Sequence, residues 1–198
     1  MGFADAAEAA RRGASVTVIA ANVKLAPAPG VRVLPVGTAA ELAQACEQEF
    51  EACDVLLMAA AVADFRPSRP AATKLKKDHG TPRIELEPTT DVLSSVAQRR
   101  SSGQIRVGFA AEHGAGAIEY GRGKLERKGL DVVVVNDISR PGIGFDVVDN
   151  EVTILAADGA RREVSRTGKE QVARAVLDEV ERLRATSTHR TGRPSTLR

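Results

Sequence analysis

The sequence predicts an α/β protein: a doubly wound, mostly parallel Rossmann-like sheet carrying an antiparallel flap and a hairpin. Three observations predict it. Short β-branched, apolar runs alternate with helical segments along the chain. Two of these runs, Asp54-Val-Leu-Leu-Met-Ala59 and Asp131-Val-Val-Val-Val-Asn136, are apolar without interruption after their opening aspartates, the second as far as Asn136, as strands covered on both faces are. Between residues 60 and 88 the alternation breaks into prolines, arginines and the cluster Lys74-Leu-Lys-Lys77, which reads as an exposed flap over about 66–88.

Taken in order, Ala4 to Arg12 is alanine-rich and helical, with Gly13 as its C-terminal cap. Ser15 to Ala20 is a β-branched strand. A Pro/Gly-rich loop, 25–30, leads to a second short strand from Val31 to Val36. Thr38-Ala-Ala-Glu41 is a capping box that opens a helix to about Ala52. After the apolar strand 54–59, Arg83 to Glu87 alternates apolar with charged residues and forms the flap's strand. Thr90 caps a helix through about Arg100. Ile105 to Ala110 is a strand, Ala117 to Lys128 a helix, and 131–136 the innermost strand. Val152 to Ala156 and Arg161 to Val164 make a hairpin turned at Asp158-Gly159. A second capping box, Thr167 to Glu170, starts the last helix, which ends near Arg184. Residues 1–184 are thus expected to form one domain, with 185–198 a disordered polar tail.

Composition excludes several functions. The chain has 198 residues with 28 basic and 26 acidic side chains, too balanced for a polyanion binder. Its aromatic residues are 5 Phe and 1 Tyr, with no Trp, so a base-stacking surface for nucleic acid is not expected. No apolar run approaches the roughly 20 residues of a membrane-spanning helix. Cys46 and Cys53 fall seven apart on one predicted helix, about 10 Å, too far for a disulfide. They read as buried thiols in a reducing cytoplasm, and no secretory leader is recognisable. His79, His113 and His189 are scattered, and no metal-ligand set stands out.

Ligands of open parallel sheets sit beyond the carboxyl ends of the strands, so function is expected just after Ala59, Ala110 and Asn136. The phosphate-binding P-loop pattern is absent, as is a strand-to-helix G-x-G-x-x-G, which disfavours a dehydrogenase. In the segment from Ala59 to Arg66, small residues allow close approach to the backbone and Asp64 offers a polar contact. The alternative is an alanine-rich turn with a surface aspartate. The lysines of 74–77 suit a cationic lid over phosphates, or a solubilising run. Lys124 and Lys128 share a helix face and could grip a phosphate, or simply favour a helix C-terminus. Thr89-Thr-Asp-Val-Leu93 presents helix-start N–H groups to an anion, or only caps its helix. Phe109 could stack on a base or fill the core.

In sequence order, AAAVADFRP, KLKK, PTTDVL, VGFAAE, GRGKLERKGLD and VVVVND resemble the phosphopantothenate–cysteine ligase family, from Met1 to about Leu183. In bacteria this is commonly the C-terminal half of a bifunctional coenzyme A biosynthesis protein. The resemblance implies a CTP-dependent ligase that joins 4'-phosphopantothenate to L-cysteine through an acyl cytidylate, with Mg²⁺. It implies nucleotide contacts at Met58, Ala59, Ala60, Asp64, Lys74, Thr90, Asp91, Val92, Leu93, Phe109, Lys124 and Lys128. Lys74 is implied as the catalytic cation, on a flap from the partner subunit of a homodimer. A flavin-dependent decarboxylase domain or subunit is a further implied partner. Family members open with a strand and a loop like N-x-S-S-G-[KR]-M-G, and this sequence begins at the closing Met-Gly, so that strand and its asparagine are expected to be missing. Thr89-Thr90 replaces a common Asn-Pro. Two competing readings are a catalytically inactive nucleotide-binding or dimerisation fragment and an NAD(P)-binding Rossmann protein.

Overall fold

Four consecutive valines set the middle of the sheet. Val132 to Val135 are each at most 2% exposed, because the strand they form has a neighbour on either edge and a helix layer on either face. The computed structural model describes residues 1–76, 81–114, 116–139 and 149–191. Its elements in order are α1 (Gly2–Arg11), β1 (Thr17–Ala21), β2 (Arg32–Val36), α2 (Ala39–Phe50), β3 (Val55–Met58), β4 (Phe65–Pro67) and β5 (Leu86–Pro88). Then follow α3 (Val92–Ala97), β6 (Ile105–Glu112), α4 (Ala117–Arg127), β7 (Val132–Asp137), β8 (Asp149–Ala156), β9 (Arg161–Gly168) and α5 (Lys169–Thr191).

The main sheet runs β3-β6-β7-β8-β9. Its first three strands are parallel, and β8 and β9 return antiparallel as the hairpin. The expected doubly wound, mostly parallel α/β class is therefore the observed one. A parallel pair, β1-β2, and the antiparallel flap pair, β4-β5, are hydrogen-bonded separately from it. One core cluster lies on the α2–α3–α4 face, built on Phe50, Leu42, Val96, Leu130, Val133 and Val135. The other lies under α5, built on Val107, Val132, Val134, Ile154, Val172 and Val176. Alternate residues of β6 and β7 feed opposite clusters, as a period of two requires.

Two glycines fix how closely the layers approach. A Cβ at Gly121 of α4 would lie 2.3 Å from Cγ2 of Val135, and one at Gly108 of β6 would lie 2.6 Å from Cδ1 of Leu130. Buried polar groups mark other points. Asp5 of α1 is 2% exposed and neither carboxylate oxygen has a partner among the described residues. Burial pushes its carboxyl up to about 7, against the pull of the Met1 amine. Arg106 of β6 is buried too, but its guanidinium donates to the Gly129 carbonyl just beyond α4. That places a cation at the negative end of the helix dipole. Arg12 ties α1 to α5, donating to Glu8 (2.8 Å), Asp178 (2.8 Å) and Glu181 (2.9 Å).

Several expectations need correction. The strand 54–59 is not covered on both faces: only Met58 of β3 is buried, and among the described residues β3 has β6 on one edge and no hydrogen-bonded strand on the other. The two cysteines do not share a helix, since α2 ends at Phe50; Cys46 is buried and Cys53 lies partly exposed beyond it. Asp91, not Thr90, caps α3, and the helix stops at Ala97. The flap strand lies at Leu86–Pro88 instead of 83–87. Thr167 belongs to β9, paired with Asn150. The last helix runs on to Thr191, so the tail does not begin at 185; residues 192–198 lie outside the described residues. The capping box at Thr38 and Glu41 is present as expected.

Candidate functional site at the carboxyl ends of the parallel strands

β3 stops at Met58, paired with Gly108, while β6 continues from Phe109 to Glu112 beside β7. This step in the sheet leaves a rim at the carboxyl ends of the strands. Met58 is buried in the core, Ala59 packs 3.5 Å from the position of a Cβ on Gly2, and Ala60 is exposed. The following loop is tied to the entry of α3, because Thr89 N donates to the Asp64 carbonyl (2.9 Å) and the Thr89 hydroxyl donates to the Ala63 carbonyl. Thr89 thus braces Asp64, which is exposed at the surface.

Lys124 reaches the rim from α4. Its Nζ donates to the Phe109 carbonyl at 2.6 Å. Burial lowers the pKa of this ammonium, and the nearby Glu112 and Asp64 carboxylates oppose that shift. Glu112, at the end of β6, is pushed up by burial against the pull of Lys124 and His113. Lys128, one turn along the same helix face, forms an ion pair with Asp91. Asp91 also caps α3, accepting from Ser94 N at 3.2 Å and Ser94 Oγ at 2.9 Å. The sequence-nominated Lys124, Phe109, Asp64, Lys128 and Asp91 therefore fall into two linked polar groups spanning α3, β6 and α4.

The other nominated residues divide differently. Val92 and Leu93 are buried in the core, so their side chains are packing groups and only their main-chain N–H groups could meet a ligand. The Phe109 side chain packs on the cluster under α5, and it contributes its carbonyl to the site. Thr90 is exposed. Lys74 is exposed on the flap; Lys77 lies outside the described residues. Sequence reasoning missed Glu112, Asn136 and Asp137. The Asp137 carboxylate accepts from Gly114 N (3.0 Å), Ser139 N (3.0 Å) and Ser139 Oγ (2.6 Å), locking the loop that enters α4. The rule that sites follow strand ends pointed at this place, naming Asn136 only as the end of its strand and not naming Glu112 or Asp137. Among the described residues no three His, Cys, Asp or Glu side chains converge to hold a metal.

The family model for the C-terminal domain of DNA/pantothenate metabolism flavoproteins matches residues 1–183. The chain is 41% identical over 189 residues to the coenzyme A biosynthesis bifunctional protein CoaBC of Mycobacterium tuberculosis, covering 90% of this chain and 45% of that protein. It is 38% identical over 156 residues to a cysteine/cysteine sulfinic acid decarboxylase of an unknown prokaryotic organism, covering 78% of this chain and 43% of the other. The crystal structure of the C-terminal domain of a CoaBC protein superposes with a TM-score of 0.76 at 31% identity, over 92% of this chain and 81% of that one. The chain spans under half the length of these two relatives.

Coenzyme A biosynthesis and pantothenate metabolism are thereby established as its setting. The finer expectation is corrected. The matching family is described as a flavoprotein domain, a decarboxylase stands among the relatives, and none of these descriptions names a ligase, CTP or magnesium. The assignment to the phosphopantothenate–cysteine ligase family, with its CTP and Mg²⁺, is withdrawn, as are the nucleotide-fragment and NAD(P) readings.

A flavoprotein description implies a flavin, whose ring system needs a flat, mostly apolar slot. The described residues do not fit one. Phe50 is 1% exposed inside the core, Phe109 packs under α5, and Tyr120 lies beneath the Arg127 guanidinium at 5.6 Å. Phe65 stands exposed on the flap, and Phe3 lies within α1. No helix among the described residues is long and apolar enough to cross a membrane.

Proposed function

This chain belongs to the family of C-terminal domains of DNA/pantothenate metabolism flavoproteins, and on that premise we propose that it is a cytoplasmic substrate-binding domain of coenzyme A biosynthesis. It takes a phosphorylated pantothenate derivative at the rim of its parallel strands. The ligand is 4'-phosphopantothenate, together with cysteine or already carrying it. The observation that carries this reading is Lys124: a half-buried ammonium whose hydrogen-bond partner is a neutral carbonyl, Phe109 O. A desolvated cation on a neutral acceptor gains from exchanging that acceptor for a phosphate oxygen, since charge-assisted bonds are about twice as strong as neutral ones. Lys128 adds a second cation one turn away.

Flavin chemistry, in this reading, is the work of a decarboxylase domain or subunit beyond this chain, in keeping with the poor fit of the described residues to a flavin. The flap supports a homodimer. Phe65, Leu75, Ile84 and Leu86 are each more than half exposed, and a second copy would cover them. Titration calorimetry with 4'-phosphopantothenate tests the site. Lys124→Met should weaken binding about tenfold or more, and pantothenate lacking the phosphate should lose the same increment. Equal affinity of the wild type and Lys124→Met for phosphopantothenate overturns the reading.

A further inference from the structure

One residue of β6 grips the turn between α4 and β7 from three directions. Arg106 N donates to Asp131 Oδ2 at 2.8 Å, the Arg106 carbonyl accepts from Asp131 N at 3.0 Å, and the guanidinium donates to the Gly129 carbonyl. Ile105 and Val107 on either side of it belong to the cluster under α5, so by alternation Arg106 points the other way, with Gly108, into the α2–α3–α4 layer. It is 4% exposed there, and its Nε and Nη1 are shut off from water with no hydrogen-bond partner among the described residues. Unpaired buried donors are a standing cost to stability. The strand does not demand that cost, because the two backbone bonds to Asp131 would form with any side chain at this position except that of proline.

What the guanidinium adds is the position of a helix. Gly129 follows directly on Lys128, the C-cap of α4. Its φ of +56 favours glycine, and a Cβ there would lie 3.4 Å from Arg106 Nη2, so the turn comes up close against the guanidinium. The end of α4 is internally tied: Lys128 N donates to the Lys124 carbonyl at 3.0 Å and Leu130 N to the Leu125 carbonyl at 2.9 Å. A shift of Gly129 is therefore passed back to Lys124 through a continuous run of backbone bonds. Lys124 in turn bonds the carbonyl of Phe109, three residues beyond Arg106 on the same strand. β6 thus holds α4 at two points, by the Arg106 side chain beyond its end and by the Phe109 carbonyl at the rim.

We infer that Arg106 is a positioning residue: by holding the Gly129 carbonyl it sets α4 in the register that brings Lys124 to the rim. It acts through the helix end and touches no ligand, since it pairs with Leu56, two residues before β3 stops. Its effect on binding rests on the ligand proposed above; its effect on the placement of Lys124 does not.

The test uses the whole chain and two readouts. The first needs no ligand: competitive acetylation of lysine amines with acetic anhydride, read residue by residue by mass spectrometry, with exposed Lys74 as the reference and partly buried Lys169 of α5 as the control. Arg106→Met, which keeps the bulk and removes the unpaired donors, should keep or raise the melting temperature while Lys124 is labelled severalfold faster and Lys169 at its former rate. The second is titration with 4'-phosphopantothenate. Arg106→Met should weaken binding about three- to tenfold, the size of coupling within one bonded network, and should cost almost nothing further in a Lys124→Met background. Arg106→Lys, still a cationic donor, should restore most of both readouts. If Arg106→Met does not fold, Arg106→Gln, whose amide nitrogen ends two bonds short of Nη2, carries the same measurements. Unchanged labelling of Lys124 in the folded variant overturns the inference. So does faster labelling shared by Lys169, which would mean general loosening, and so does an equal loss of affinity with and without Lys124. A wild type that does not bind 4'-phosphopantothenate overturns the proposed substrate, and labelling then decides the role of Arg106 alone.

Discussion

β3 and β7 are written in nearly the same alphabet, Val-Leu-Leu-Met and Val-Val-Val-Val, yet the second is sealed and the first is not. The difference lies in their neighbours. β7 has β6 and β8 on its edges, with α4 and α5 above and below. Among the described residues β3 bonds only to β6, and β1, which packs against the α2–α3–α4 core cluster, bonds only to β2. The molecule thus has a closed half, β6 through β9 with α4 and α5, and an open half, α1 through β5. Burial belongs to the pairing and not to the residue. The candidate site lies along the seam, where β6 outruns β3.

Asp5 and Arg106 give the widest expected gap between the halves. Both are buried and charged in type, but Arg106 sets one guanidinium nitrogen on a carbonyl at a helix end, with Nε and Nη1 unpaired among the described residues, whereas neither Asp5 oxygen has a partner there. The native Asp5 carboxyl sits at about 7 against an ordinary value of 3.8. The folded state therefore holds its proton more tightly than the unfolded chain. Its penalty is absent below about pH 4, grows as pH rises toward 7, and is complete above that. Asp5→Leu should stabilise the protein by about 2–4 kcal/mol at pH 8 and by much less at pH 4. Urea unfolding at the two pH values measures this. A gain independent of pH would mean that the carboxyl is not the source.

The same helix substitution should act oppositely in the two halves. Gly121→Ala drives a methyl into Val135 in the closed half and should cost about 1–3 kcal/mol. Gly2→Ala in α1 meets only Ala59 at 3.5 Å, an ordinary contact, and should be neutral or gain a few tenths of a kcal/mol through helix propensity. Equal losses in thermal unfolding would erase the distinction. Truncating valines sharpens it further. Val133→Ala removes fully buried methyls and should cost about 2 kcal/mol, whereas Val55→Ala of half-exposed β3 should cost under about 1 kcal/mol.

The closed half was legible because its signals are local and agree. The valine run, the Asp158-Gly159 turn and the alternation of strands with helices all point to one sheet, and the hairpin is only longer, at the end away from its turn, than its apolar residues suggest. The open half was harder. An apolar run such as 54–59 carries no record of how many strands will flank it. The α3 cap went to Asp91 because its carboxylate serves Ser94 and Lys128 together, a tertiary gain invisible to local pattern. At the site, lysine spacing on α4 placed Lys124 and Lys128 on one face, but nothing local revealed that Phe109 gives its carbonyl while its ring goes to the core. Asn136 was in view as a strand end, and only coordinates reveal an unpaired atom. The motif order located the metabolism, whereas the reaction attached to it was not carried by the family match.

The smallest contrast concerns ion pairs, where geometry alone would mislead. Arg66 on the flap meets Glu87 at 2.8 Å, the same distance at which Arg12 meets Glu8 and Asp178. Distance does not rank them. Both partners of the flap pair are largely in water, which screens the attraction and leaves the entropy of fixing two long side chains uncompensated. Arg12 is mostly covered and already fixed by several acceptors on α1 and α5, so each further bond orders less. Arg66→Ala should therefore change stability by under about 0.5 kcal/mol, and that small effect should fade as salt rises. Arg12→Ala should cost more and retain most of its effect in salt, since part of what it loses is packing between α1 and α5. Parallel urea titrations at low and high salt compare the two. A loss at Arg66 equal to that at Arg12 would show that the flap is as firmly built as the α1–α5 contact, and the division into open and closed halves would have to be redrawn around it.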